Sequence, residues 1–306
     1  MALCMVVVSG LFFGITNFCM RRSIDLKGST RHFLLYQLAT SIIASVLLCP
    51  VRTGDYDLCT ASLFLGTIGG LLYGAMMWAI AQAFAAGPIG LTVAILNSAT
   101  VMPGIVMALL FGAEWGHPYN FWIGLGSALV LIGLFWAGWR SRGVVARSRW
   151  MKLAILAAGS DLILLCFLQW RALLVKGPWN ISPFVPFALD IGRSQWFMPV
   201  LFLSAASIHL ISVIRSERRA PIRAELLYGT LGGLANGLAT FLLISATDIA
   251  APWENAMLFP VSAVTVIIVC NLGGRFIYKE KVHWASNSLC LFGVLIGTID
   301  WSHLLP

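Results

Sequence analysis

GTIGGLLYG, from Gly66 to Gly74, is answered by GTLGGLANG, from Gly229 to Gly237, so that a glycine-dense segment returns after 163 residues. A single cluster of small residues would say only that helices pack closely there. The match extends, however, in order along the chain. Pro88 answers Pro252, the segment NSATV from Asn97 answers VSAVT from Val261, and Glu114 answers Glu280, with the offset drifting only from 163 to 166. An ordered series of matches at a nearly constant offset is the mark of an internal duplication. The chain is therefore read as two halves, residues 1–145 and 146–306, within a single membrane domain.

The medium these halves occupy follows from composition. Of the 306 residues 59% are hydrophobic and 10% charged, against roughly 25% charged in soluble domains. Ten apolar runs cover residues 2–20, 33–50, 62–83, 88–111, 120–139, 151–173, 196–214, 226–247, 253–276 and 286–304. Each is close to the length needed to cross a hydrocarbon core of about 30 Å. They lack the period-two alternation of outer-membrane strands, and backbone groups in lipid must be satisfied within the segment, so helices are expected. The fold class is an all-α polytopic membrane protein, ten transmembrane helices in two five-helix repeats. Five is odd, so each half starts on the opposite side of the membrane from the other, and the repeats are inverted. Two such halves can rock about a central site and open it alternately to either side.

The charges supply the orientation. Arg21, Arg22, Lys27 and Arg31 follow the first run; Arg140, Arg142, Arg147, Arg149 and Lys152 follow the fifth; Arg215, Arg218, Arg219 and Arg223 follow the seventh; Arg275, Lys279 and Lys281 follow the ninth. The alternate loops hold only Arg52, Arg171, Lys176 and Arg193. Basic residues in short loops stay on the cytoplasmic side, so both termini are expected outside the cytoplasmic (inner) membrane. Arg21 and Arg22 come after the first apolar run, which reads as a retained helix. The net charge of +8 is explained by these loops and implies no nucleic-acid partner. Seven cysteines lie scattered without metal-ligand spacing and read as small core residues. Tryptophans gather at the ends of the runs, as an interfacial belt requires, with Trp78 standing inside one.

Across nearly its whole length the sequence resembles the drug/metabolite transporter superfamily, including its EamA-like proteins. The stretch GTIGGLLYGAMMWAIAQAFAAGPIGLTVAILNSATVMPGIVMALLFGAEW is similar to the glucose/ribose uptake branch, with its glycine-rich third helix, polar fourth helix and terminal Gly-x-Glu-Trp. The resemblance implies ten helices as inverted repeats, and puts Glu114 and Trp115 at the family's helix-end Glu-Trp positions. The second half departs there, having Lys279, Glu280 and Lys281.

Polar residues within apolar runs are the candidates for function, because lipid makes them costly to keep. Asp161 lies near the middle of the sixth run, where an ionised carboxylate is expensive, and is the candidate for proton coupling. Arg171 is ten positions further along the same helix, too far to pair with it. Asn97, Ser98 and Thr100 precede Pro103, whose missing N–H frees a carbonyl toward a cavity. Asn236 and Thr240 in the eighth run, with Asn255 in the ninth, are their counterparts in kind. Trp78 and Gln82 stand four apart on one helix face beside Tyr73, an aromatic and amide pairing suited to a sugar or another polar organic solute. Substrate contact is thus expected from Asn97, Tyr73, Trp78, Gln82, Asn236 and Asn255. His209 and Asp248 read as solvated near helix ends, and Asn180 to Ser182 fits a glycosylation sequon.

The leading expectation is a secondary transporter moving a small polar organic metabolite, sugar-like by resemblance, with an exporter of amino acids, nucleotide derivatives or drugs as the alternative. A lipid enzyme is the contrasting class, but the chain has no H-E-x-x-H and no G-x-S-x-G. A channel is the third. No enzyme activity, cofactor or metal is expected. The partners are a small-molecule substrate and the lipid bilayer.

Overall fold

A computed structural model of the chain describes residues 1–86, 89–139, 147–176, 195–217, 219–279 and 284–298. Every long regular element among them is a helix: α1 (Ala2–Asp25), α2 (Thr30–Val46), α3 (Thr60–Ala86), α4 (Ile89–Ala99), α5 (Met102–Leu110), α6 (Phe121–Trp139), α7 (Arg147–Lys176), α8 (Phe197–Ser216), α9 (Arg223–Ile249), α10 (Leu258–Tyr278) and α11 (Trp284–Thr298). Seven of the described helices are long and apolar enough to cross a membrane, and shorter apolar helices cover Ile95–Leu110, Phe121–Gly133 and Trp284–Gly297.

The apolar run 88–111 is divided. α4 stops at Ala99 and α5 starts at Met102. Pro103 sits in the first turn of α5, where its missing N–H breaks no bond, while its ring excludes a helical carbonyl at position 99. The Thr100 hydroxyl donates to the Asn97 carbonyl at 2.7 Å and so satisfies one of the groups left over. Proline acts likewise at the end of α2, where Pro50 lies within the wider π-turn Leu47–Val51.

Packing is organised by the two glycine-dense segments. α3 lies against α7 and α8, and α9 against α1 and α2. A Cβ on Gly70 would overlap the Leu201 carbonyl, and one on Gly233 would overlap the Gln37 carbonyl. One turn on, a Cβ at Gly74 would come within 2.7 Å of Ile208, and one at Gly237 within 2.7 Å of Ala44. Backbone thus meets backbone at matching places in the two segments, as small residues permit in membrane helices. α6 and α11 also pack together: a Cβ on Gly126 would lie 2.6 Å from the Gly293 carbonyl, and one on Gly293 2.7 Å from that of Gly126.

The surface is apolar and the interior carries polar groups. Ile43, Leu71, Ile155, Leu203, Leu231 and Phe292 are exposed, whereas Gln37, Ser41 and Thr240 are buried. In water such a surface would be a large aggregation liability, whereas in lipid it costs nothing. This is a multi-pass helical membrane protein.

At one end, the loop before α2 meets the chain between α8 and α9. Glu225, fully buried, accepts from the backbone N–H of Ile222 at 2.8 Å and of Ser29, and pairs with Arg219. The Ser29 hydroxyl donates to Glu217 at 2.7 Å. Two of the basic loops therefore share a side. At the other end Trp196 Nε1 donates to the Tyr56 carbonyl at 3.2 Å, and Arg171 grips both carboxylate oxygens of Asp248 at 2.9 and 3.2 Å.

Two sequence expectations change. Asp248 is not simply hydrated but paired, because the end of α7 that carries Arg171 meets the end of α9 that carries Asp248. His209, expected at a solvated interface, is 1% exposed, since α8 turns that face onto the glycines of α3. Trp150, in the first turn of α7, faces inward and is buried, its indole N–H donating to Thr92 at 2.9 Å. The sequon at residues 180–182 and Glu280 fall outside the described residues.

Candidate functional site

At the centre of the bundle lies a cavity of about 170 Å³, with walls from α1, α3, α4, α7, α8, α9 and α10. Helical spacing explains which side chains reach it. On α7, Asp161, Leu164, Leu165 and Leu168 stand at i, i+3, i+4 and i+7, and on α1, Phe13, Thr16 and Asn17 repeat the same pattern. α3 contributes Tyr73, Met76, Met77 and Ile80, and α9 contributes Asn236, Thr240 and Leu243.

Several of the polar groups in these walls are hydrogen-bonded within the protein, while the Thr240 hydroxyl has no hydrogen-bond partner among the described residues. Tyr73, buried and edge-on to Phe202 with ring centroids 5.7 Å apart, donates its hydroxyl to Asn236 Oδ1 at 2.8 Å. Asn236 Nδ2 in turn donates to the Ser41 hydroxyl at 3.1 Å. The Thr16 hydroxyl lies 3.1 Å from the Gly232 carbonyl. Asp161 differs from the bonded groups. Among the described residues it has no hydrogen bond and no ion pair, and the cavity lining contains no Lys, Arg or His. Arg171, on the same helix, is committed to Asp248, with its guanidinium stacked 4.2 Å from the centroid of Phe197.

Of the residues singled out in the sequence, the structure brings Asp161, Asn97, Tyr73 and Asn236 together in this cavity. Trp78, Gln82 and Asn255 are elsewhere. Trp78 is 41% exposed on the outer face of α3, and Gln82 is half-buried. Asn255 donates to the Gly116 carbonyl at 2.6 Å, and its own carbonyl accepts from Gln169 at 2.9 Å, so it ties loops to α7. Sequence reading missed the contribution of α1. Asn17 was the available signal, an amide inside an otherwise apolar run. It also missed the Arg171 and Asp248 pair, whose members lie 77 residues apart.

No family model matches the chain, and no curated protein matches it. Solved structures do match. One of them, described as "Crystal structure of protein", is 14% identical, covering 95% of this chain and 96% of its own with a TM-score of 0.62. At that identity the likeness speaks for the fold alone.

Proposed function

We propose that the protein is a secondary transporter that moves a small organic solute through the central cavity by alternating access, with Asp161 as the proton-coupling group. In this reading the seven long helices are joined by α4 with α5, by α6 and by α11 to make ten crossings. The two halves are inverted repeats, the basic loops face the cytoplasm, and both termini lie outside the cytoplasmic membrane. The resemblance to the drug/metabolite transporter superfamily fits the same reading.

The observation that carries it is where the halves touch. Tyr73 and Asn236 are separated by 163 residues, the same offset that relates the two glycine segments, and they hydrogen-bond to each other in the cavity wall. A position contacts its own counterpart only where an axis relating two equivalent units passes. The mutual packing of Gly126 and Gly293 has the same character. A cavity on such an axis is the place where rocking of one half against the other exposes a bound solute to alternate sides. The contacts around Glu225 at one end and around Arg171 at the other are both made in this arrangement, and in this reading parting one set or the other opens the cavity to one side.

The test is counterflow exchange in proteoliposomes loaded with single solutes from a panel of sugars, amino acids and amines. Saturable exchange of one class is expected, driven by a pH gradient and made insensitive to it, or abolished, by Asp161→Asn. Unsaturable flux would identify a channel, and the absence of exchange for every class would overturn the transport reading.

A further inference from the structure

We infer that the solute is a small organic cation, a ring-sized amine with an apolar body, whose ammonium group is received by Asp161. The inference rests on the cavity being the solute site and goes beyond that reading by naming the chemical class.

Three features of the cavity converge on it. Asp161 is an acceptor that no described side chain engages, in a lining with no basic residue. A half-buried carboxylate in a largely apolar lining and without a partner is costly to keep charged, and a ligand carrying the missing positive charge relieves that cost. The rings of Phe13, Phe84, Phe259 and Tyr73 also line the cavity, and aromatic faces attract cations, the more so when water is excluded. The remaining wall is aliphatic or methionine, with Met76 and Met77 able to adapt to the outline of an apolar group.

The same inventory disfavours other solutes. A sugar needs several partners for its hydroxyls, but Tyr73, Asn236, Thr16 and Thr100 already spend hydrogen bonds on the protein itself, and the Thr240 hydroxyl, which has no hydrogen-bond partner among the described residues, would serve one hydroxyl only. A carboxylate solute would meet Asp161 with like charge. At about 170 Å³ the space suits one ring, since a cavity of roughly 150 Å³ accommodates benzene.

Tritiated benzylamine is the probe, measured by saturation binding to the purified full chain in detergent, with benzyl alcohol and benzoate as neutral and anionic competitors of similar shape. Saturable binding is expected, with both competitors at least tenfold weaker than unlabelled benzylamine. Asp161→Asn should weaken binding tenfold or more, and Asp161→Glu should retain it. Should the Asn variant fail to fold, Phe13→Leu, which keeps apolar volume but removes a ring face, should weaken binding threefold or more while leaving competition by benzyl alcohol unchanged. The inference is overturned if wild-type protein binds no benzylamine while exchanging a sugar or amino acid in liposomes, or if benzyl alcohol competes as well as the amine. It is also overturned if Asp161→Asn folds and binds as wild type does. Saturable, Asp161-dependent binding without exchange in liposomes would uphold the cation site and overturn the transport reading instead.

Discussion

The hydroxyl of Tyr73 donates to Oδ1 of Asn236 at 2.8 Å across 163 residues of chain, joining the two places at which the glycine-rich segments differ most in chemistry. Where the surrounding glycines are the same, GTIGGLLYG has a phenol and GTLGGLANG an amide. The pairing gives each group a defined role, the phenol donating to the amide oxygen while the amide nitrogen is left free to donate to Ser41.

This bond is expected to couple the halves modestly. Polar bonds between membrane helices are worth about 0.6 kcal/mol on average and seldom above about 1.7 kcal/mol. A double-mutant cycle of Tyr73→Phe and Asn236→Leu, read by reversible unfolding in mixed micelles, should return a coupling of about 0.5 to 1.5 kcal/mol. Additivity of the two substitutions would mean that the contact does not operate.

Glycine substitutions should separate packing from propensity. Gly70→Ala and Gly233→Ala place a Cβ against the backbone of Leu201 and Gln37, where a carbonyl cannot rotate away as a side-chain end can. Each is expected to cost about 1 to 3 kcal/mol. Gly159→Ala meets nothing within 4 Å and should stay within about 1 kcal/mol of wild type, on the stabilising side. Thermal unfolding of the three variants checks the order.

Much of the architecture was legible because lipid imposes a simple rule, that long apolar runs become helices. The close crossings of α3 with α8 and of α9 with α2 were legible because their glycines stand out in the sequence. Asp161, Asn97, Tyr73 and Asn236 could be singled out for the same reason, polarity where it is expensive. What the sequence hid is direction around each helix axis. Trp78 and Gln82 sit on α3 with Tyr73, yet the face toward α8 and the cavity takes Tyr73 and Met77, while Trp78 turns outward. With 59% hydrophobic residues, apolar periodicity does not distinguish a lipid-facing side from a packed one. The pairing of Arg171 with Asp248 was hidden too, since it depends on two helix ends that only tertiary packing brings together.

The Arg171 and Asp248 pair should behave as a structural strap. The guanidinium is buried, and the carboxylate side chain is 25% exposed, so its partner's loss is partly offset by water. Arg171→Met is expected to cost about 1 to 3 kcal/mol, less than the full penalty for a buried pair. Arg171→Lys should recover only part of this, because lysine keeps the charge but not the two-pronged contact or the stacking on Phe197. Unfolding midpoints in mild detergent measure both.

At the opposite end Glu225 holds two backbone N–H groups and Arg219. Glu225→Ala leaves those donors without their acceptor in a fully buried position and should cost about 2 to 4 kcal/mol. Glu225→Gln keeps one acceptor oxygen and is expected to cost less. Limited proteolysis of the segment between α8 and α9 should accelerate in the same order.

Alternating access is tested most directly by the sidedness of the cavity. Thr100 lines it, and none of the seven cysteines is among the lining residues, so a Thr100→Cys variant reports above a fixed background. In sealed vesicles of known orientation, an impermeant charged methanethiosulfonate reagent should label this cysteine from either side. Cross-linking cysteines placed at positions 171 and 248 should then abolish labelling from the outer side and leave labelling from the cytoplasmic side intact. Labelling from both sides that persists after the cross-link, or labelling from one side under every condition, would contradict the account.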